Sequence, residues 1–307
     1  MRIIRAEHLG MCFGVRDAIA LALKKSEEVP LTILGELVHN ETVLASLRER
    51  GVWLARDLSQ VTTPTVMLTA HGTSQTALIR LRERNLNVIE ATCPLVHVAH
   101  RAVARLVEAG FHPVIIGKRD HVEVRGLTED LAEFDVVLTE GEVEALVERP
   151  RFGIAAQTTQ PIERVRQLVA LVERRFPKAE IRFIDTVCQP TKQRQMAAIE
   201  LTKQCDVVIV VGGAHSNNTR ELVATCRRYC AGVHHVQSPD DLCPEWFSGA
   251  QNVGITAGTS TPDEVIDLVE QGIREITARH SEEPPRQNLS SSTSPEHSAS
   301  RVIGWSA

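Results

Sequence analysis

The sequence predicts an α/β fold built on mostly parallel sheets. Two observations carry that expectation. A short Val/Ile/Leu-rich run, then a polar loop, then an amphipathic helical stretch recurs along most of the chain. Such runs read as buried parallel strands with crossover helices. The composition is that of an ordinary globular protein: of 307 residues, 43% are hydrophobic and 24% are charged. That is enough apolar material to bury a sizeable core.

The elements follow in order. RIIRA is strand-like, and after the turn EHLG and Cys12 a helix sets Val15, Ala18, Ile19, Ala22 and Leu23 on one face. Leu31–Leu34 is the first unit's strand, followed by GELVHN and a helix from about Glu41 to Arg50. Thr65–Thr69 leads through AHGTS to a helix ending near Arg84. NVIEAT ends at Cys93, and Pro94 is a good first helical residue. The helix after it groups Val98, Ala99, Ala102, Val103, Leu106 and Val107. His112–Ile116 runs into a loop, GKRDHVEVRG. Phe152–Ala155 leads through AQTTQ to a helix from Pro161 to Phe176. IRFIDTV ends at Cys188, with Pro190 opening a helix to about Lys203. Asp206–Val211 leads through GGAHSNN to a helix ending near Tyr229, and Asn252–Thr256 through AGTST to one from Pro262 to about Ala278. The pattern divides into three small α/β domains: 1–93, whose N-terminal segment carries Cys12; 94–187; and 188–280. The Ser/Pro-rich tail, 281–307, reads as disordered.

Several function classes are disfavoured. A net charge of −5 argues against a basic nucleic-acid-binding surface, and 4% aromatics argue against base-stacking platforms. No apolar run approaches the roughly 20 residues of a membrane span. MRIIRAEHLG has no signal-peptide core, so the expected location is the cytoplasm. There, seven cysteines point to metal, catalysis or packing rather than to disulfides.

Three of those cysteines share one context. Cys12, Cys93 and Cys188 each follow a strand and precede a helix. A helix N-terminus favours thiolate, the form that ligates metal. Three thiolates on a pseudo-threefold axis would suit an iron–sulfur cube with one iron left open as a Lewis acid. Plain packing near three helix starts remains a reading of the same pattern, and zinc is a rival metal. Cys205, Cys226, Cys230 and Cys243 look structural, although Cys226, Cys230 and His234 could also be drawn as a zinc site.

In parallel sheets the loops after the strands gather on one edge, where ligands bind. Here those loops carry His39, His71, His121, Glu123, Thr158, Ser216, Asn218 and Ser260, and all but GKRDHVEVRG lack Lys and Arg. Turn and cap chemistry explains small polar residues one loop at a time. Six such loops in phase, four with histidine, suggest a phosphate site made of neutral donors and helix N-termini. Glu123, beside His121, is either a proton donor with a raised pKa or a loop ion pair with Arg119 or Arg125.

On these residues the chain resembles the IspH/LytB family, reductases of 4-hydroxy-3-methylbut-2-enyl diphosphate in the non-mevalonate (MEP) isoprenoid pathway. The matching pieces are GMCFGV, ELVHN, AHGTS, EATCPLV, HVEVRG, AQTT, DTVC, the RQ at Arg194 and Gln195, HSNNT and TAGTSTP, across residues 1–279. The resemblance implies three α/β domains around one central [4Fe–4S] cluster with three cysteine ligands, Cys12, Cys93 and Cys188, and one open iron. It implies a diphosphate pocket of His39, His71, Ser216, Asn218 and Ser260, with Asn217 beside it. His121 and Thr158 would line the substrate channel, and Glu123 would deliver protons. The implied reaction removes the substrate hydroxyl as water, through an allyl-type species, with electrons from ferredoxin or flavodoxin. Isopentenyl and dimethylallyl diphosphate are the implied products. A quinolinate-synthase-like dehydratase and a non-catalytic iron–sulfur sensor are the alternatives. Three departures stand out. HVE replaces the family's HPE, which is expected to loosen the loop that aims Glu123. SNN replaces SSN, and QPTKQRQ follows Cys188 where the family has a small ATT-like stretch.

Overall fold

The computed structural model of the chain describes residues 1–282, except Glu36 and His39. His39, expected at the diphosphate, and residues 283–307 of the expected tail lie outside the described residues. The first elements are β1 (Arg2–Arg5), α1 (Phe13–Glu28), β2 (Leu31–Leu34), α2 (Glu41–Glu49), β3 (Trp53–Ala55), β4 (Thr65–Leu68), α3 (Gln75–Glu83) and β5 (Asn87–Glu90). Next come α4 (Pro94–Glu108), β6 (His112–Ile116), α5 (Val122–Thr128), β7 (Asp135–Val137), α6 (Glu140–Glu144), β8 (Arg151–Ala156), α7 (Ile162–Arg175) and β9 (Glu180–Phe183). The last are α8 (Gln189–Thr202), β10 (Val207–Val211), α9 (Asn217–Arg227), β11 (Gly232–Val236), β12 (Asn252–Ala257) and α10 (Asp263–Glu282).

The strands make three four-stranded sheets, ordered β3-β2-β4-β5, β7-β6-β8-β9 and β11-β10-β12-β1. Their pairings are parallel. The inner strands are apolar on both faces because helices cover both; VVIVV of β10 is buried throughout. Each fully buried side chain such as Ile209 or Ile255 contributes about 2 kcal/mol of burial.

The helix packing shows how the sheets are linked. α1 and α2 bury Ala18, Ala22, Leu44 and Leu47 against one face of the first sheet. α4 and α5 bury Ala99, Val103, Val124 and Leu127 against the second. α8 and α9 bury Ala198, Leu201, Leu222 and Val223 against the third. So α1 leaves the third sheet and packs on the first, α4 leaves the first and packs on the second, and α8 leaves the second and packs on the third. Each of these crossings starts at a cysteine.

This cycle corrects the first domain boundary. The sequence groups RIIRA with 1–93, but β1 pairs with β12, with Ile3 opposite Val253 and Ile4 opposite Gly254. The two isoleucines point to opposite faces and join the two apolar clusters of the third sheet. β1 thus supplies the fourth strand that β5 and β9 supply to the other two sheets. The short strands β3 and β7, the strand β11 with its paired histidines, and the short helices α5 and α6 are absent from the sequence-based expectation. Three-residue strands and five- to seven-residue helices carry too little periodicity to read. α10 runs on to Glu282, past the expected end near Ala278 and into the first residues assigned to the tail.

Candidate active site

Cys12, Cys93 and Cys188 occupy the N-cap positions of α1, α4 and α8. Each is fixed in the same way. The Cys12 N–H donates to the carbonyl of Thr259 (3.0 Å), Cys93 to Ala70 (3.0 Å) and Cys188 to Thr158 (2.9 Å). Each acceptor lies two residues beyond the neighbouring inner strand, β12, β4 or β8. Three equivalent backbone hydrogen bonds therefore place three thiols at equivalent points of three equivalent sheets.

The thiols face one region. A Cβ added to Gly14, two residues after Cys12, would lie 2.6 Å from the Cys93 sulfur, so only glycine lets that sulfur approach the α1 backbone. Cys12 and Glu123 act electrostatically on both Cys93 and Cys188. Among the described residues, no three His, Cys, Asp or Glu side chains meet closely enough to hold a single metal ion. That disfavours zinc, at these cysteines and at Cys226, Cys230 and His234 alike. It is compatible with a cube, in which each thiolate takes a different iron and the sulfurs stand apart.

The expected lowering of thiol pKa is reversed at two of the three positions. Burial pushes the Cys93 thiol up, although the N–H groups of Leu95 and Val96 point at its sulfur. Burial pushes Cys188 up to about 11, against hydrogen bonds from Thr191. Desolvation outweighs the helix terminus in the metal-free protein. A coordinating metal inverts that balance, because a ligating thiol is deprotonated outright.

Glu123 lies in the first turn of α5, not in a loop, and is 1% exposed. It forms no ion pair with Arg119 or Arg125 among the described contacts; Arg119 donates instead to the Val136 carbonyl (3.0 Å). Both carboxylate oxygens face Thr158, one accepting from its N–H (2.7 Å) and the other from its hydroxyl (3.0 Å). Burial raises the Glu123 pKa to about 7, with the two Thr158 hydrogen bonds opposing the rise. Thr158 also accepts the Cys188 N–H, so one residue ties the acid to a cysteine.

His121 caps α5, its Nδ1 accepting from the Glu123 N–H (3.1 Å), which puts the proton of the neutral ring on Nε2. Its ring meets that of His71 edge-on, with centroids 5.5 Å apart. Val122 holds the first helical position that proline would favour, and α5 forms with Glu123 doubly held; the HVE departure does not leave this segment a loop.

A second polar group lies on the loops after β10 and β12, which pair directly. Ser216 caps α9 by accepting from the Thr219 N–H (3.2 Å). Asn217 and Asn218 open that helix. The Asn218 side-chain oxygen accepts from the Thr259 N–H (2.9 Å), and Thr259 in turn holds Cys12. Among the described residues, Asn217 Nδ2 and Ser260 Oγ are buried without a hydrogen-bond partner. Buried polar atoms are rarely left unpaired, and two beside a helix N-terminus suit an oxygen-rich anionic ligand. A groove of about 510 Å³, lined by Met11, Ile19, Val43, Leu47 and Val265 among others, carries none of the expected site residues.

Sequence reasoning missed two contributors. Glu129 and Asp130 fasten α3 to α5: Ser74 Oγ donates to Glu129 (2.6 Å), and the N–H groups of Gln75 and Thr76 donate to Asp130 (2.7 and 2.9 Å). This joins the AHGTS loop of one sheet to the helix that carries Glu123 on the next. Nothing in the sequence signals it, because the carboxylates cap a helix over 50 residues away. QPTKQRQ forms the opening of α8, where Thr191 Oγ lies 3.0 Å from the Cys188 sulfur and Lys192 pairs with Asp185 (2.7 Å).

The model of the family described as LytB protein matches residues 3–274. The 4-hydroxy-3-methylbut-2-enyl diphosphate reductase of Geobacter metallireducens is 37% identical over 278 residues, covering 90% of this chain and 98% of that protein. The enzyme of the same name from Aquifex aeolicus is 37% identical over 281 residues, covering 89% and 96%. Among solved structures, an (E)-4-hydroxy-3-methyl-but-2-enyl diphosphate reductase aligns with a TM-score of 0.66 at 35% identity, over 90% of this chain and 100% of that one. A Plasmodium falciparum reductase aligns with a TM-score of 0.80 at 24% identity, over 91% and 99%, which bears on the fold alone.

Proposed function

The chain belongs to the LytB family, and from that premise we propose that it reduces 4-hydroxy-3-methylbut-2-enyl diphosphate, removing its hydroxyl as water to give isopentenyl and dimethylallyl diphosphate in the MEP pathway. It is an oxidoreductase of the iron–sulfur type. Cys12, Cys93 and Cys188 hold one [4Fe–4S] cluster and leave one iron open. When bound, the cluster supplies a Lewis acid and the electrons of the reduction.

The chain's own residues do the rest. Ser216, Asn217, Asn218 and Ser260, with His71 from the loop after β4, hold the diphosphate, which fits the Asn217 and Ser260 atoms without partners among the described residues. Binding there orients the substrate, and burial keeps water from competing. Thr158 holds Glu123 at both oxygens, and His121 fixes the start of its helix. With a pKa near 7, Glu123 is divided between its protonated and ionised forms at neutral pH, which lets it give up a proton and regain it, as a general acid must. Ferredoxin or flavodoxin delivers the electrons, and the reaction takes place in the cytoplasm. Among the described residues no helix is long and apolar enough to cross a membrane.

The observation that carries this reading is the chain Glu123–Thr158–Cys188. It joins a buried, protonatable carboxyl to a proposed cluster ligand through one residue. The decisive experiment is anaerobic reconstitution followed by assay of the hydroxylated diphosphate with and without reduced methyl viologen. Turnover only with the donor is expected. Turnover without it would indicate a dehydratase, and a loaded protein that never turns over would indicate a sensor.

Ser260→Ala separates binding from chemistry. Its hydroxyl has no hydrogen-bond partner among the described residues, so its loss leaves folding stability unchanged or slightly higher. A hydrogen bond to a charged ligand is worth about 1.5–3 kcal/mol. KM is therefore expected to rise about 10- to 100-fold with kcat nearly constant, measured by steady-state kinetics.

A further inference from the structure

Among the described residues, Arg194 is a buried cation without a carboxylate partner. It lies on α8 and is 8% exposed. Its Nε and Nη2 both donate to the carbonyl of Gly10 (3.0 and 2.7 Å), and Nη1 donates to the carbonyl of Pro190 (3.1 Å). These acceptors are neutral. Among the described residues it forms no ion pair with Asp or Glu, and the charged groups acting on it are Cys12, Cys188 and Arg16. The first two favour its charge and the third opposes it. A guanidinium stays protonated in proteins, and burying it unpaired is costly. The cysteines supply the compensating charge once a metal deprotonates them as ligands.

The hydrogen bonds also place it. Gly10 sits in the left-handed region (φ +74°), and a Cβ there would lie 2.9 Å from Ile266. Its N–H donates to Ala257 at the end of β12, and its carbonyl goes to Arg194. The turn that delivers Cys12 is thus pinned to β12 on one side and to the helix capped by Cys188 on the other.

We propose that Arg194 is the fixed counter-ion of the cysteine-held cluster: a positioning residue that clamps the Cys12 turn to α8 and favours the reduced form of the cluster over the oxidised form. This rests on the reading of Cys12, Cys93 and Cys188 as ligands. Three thiolates outweigh the charge of an oxidised cube, so the loaded site is anionic, and each electron received adds negative charge. A fixed positive charge in a low-dielectric surround stabilises the more negative state and raises the reduction potential. A clamp alone would need only the hydrogen bonds.

The test compares wild type, Arg194→Lys and Arg194→Gln after anaerobic reconstitution, by iron and sulfide content and by potentiometric titration of the cluster. Arg194→Gln is expected to shift the oxidised-to-reduced ratio at a given potential about tenfold toward oxidised, or about 59 mV for one electron. Arg194→Lys keeps the charge, loses the fork, and is expected to stay near wild type in potential. A loaded Arg194→Gln at the wild-type potential overturns the proposal. If Arg194→Gln takes up no iron, Arg194→Lys decides: full loading supports the need for charge, and failure to load reduces Arg194 to a structural clamp. A wild type that takes up no cluster would count against the proposed function instead.

Discussion

Cys93→Ser is expected to fold, to hold little iron after anaerobic reconstitution, and to lose more than about a hundredfold in turnover. The magnitude follows from ligand chemistry. Removing an outer partner of a metal ligand costs roughly 10- to 100-fold in affinity or activity, and removing the ligand itself costs more. The fold should survive because Cys93 is held by its backbone N–H to Ala70 and by Pro94 at the start of α4, neither of which involves the sulfur. The same result is expected for Cys12→Ser and Cys188→Ser, since each thiol stands at the same point of an equivalent sheet. Cys226→Ala is the contrasting variant. Cys226 is fully buried among Leu222, Val223 and Val210, and burial pushes its thiol up to about 12. Its loss should cost about 1–3 kcal/mol of stability and leave iron content unchanged. Iron and sulfide assays beside denaturant unfolding separate the two classes. Full iron and full turnover in Cys93→Ser would remove it from the ligand set.

The contrast between those cysteines shows what a sequence can carry. Strand, cysteine, helix is a local pattern, and it is readable three times because each cysteine stands at an N-cap. The inner strands are readable for a similar reason: VVIVV of β10 and FGIAA within β8 are apolar on both faces. Which sheet a strand joins is not local. RIIR reads as a strand, but only the open edge beside β12 makes it part of the last sheet rather than the first. Burial is not local either, so the expected lowering of the thiol pKa failed at Cys93 and Cys188, where desolvation dominates. Arg194 sits between Gln193 and Gln195 and looks like a solvated helix position. Its partner carbonyl, Gly10, is 184 residues away. Glu123 needs both levels: the sequence leaves a proton donor and a loop ion pair open, and the fold sets the carboxylate opposite Thr158.

Glu123→Gln tests that placement, and it is expected to keep the cluster and substrate binding while turnover falls about 10²- to 10⁴-fold, the usual share of a general acid. The amide can still accept from the Thr158 N–H, so the geometry is nearly preserved and the proton is not. The pH dependence gives a second readout. Wild-type turnover should fall as pH rises through about 7, where the buried carboxyl gives up its proton, and the residual activity of the variant should lack that limb. A third readout needs no cluster. The folded-state pKa is raised from the usual 4.5 to about 7, so the native state binds the proton more tightly than the unfolded chain does. The stability that this proton confers is fully present below pH 4.5 and is lost progressively as pH rises to about 7. The loss is of order 3 kcal/mol at 1.36 kcal/mol per pKa unit. Urea unfolding of the metal-free protein at pH 4.5 and pH 8 should show that loss in wild type relative to Glu123→Gln. Equal pH dependence of stability in the two proteins would mean that Glu123 is not the buried, protonated acid that the reaction needs. Equal turnover would remove it from proton delivery whatever its pKa.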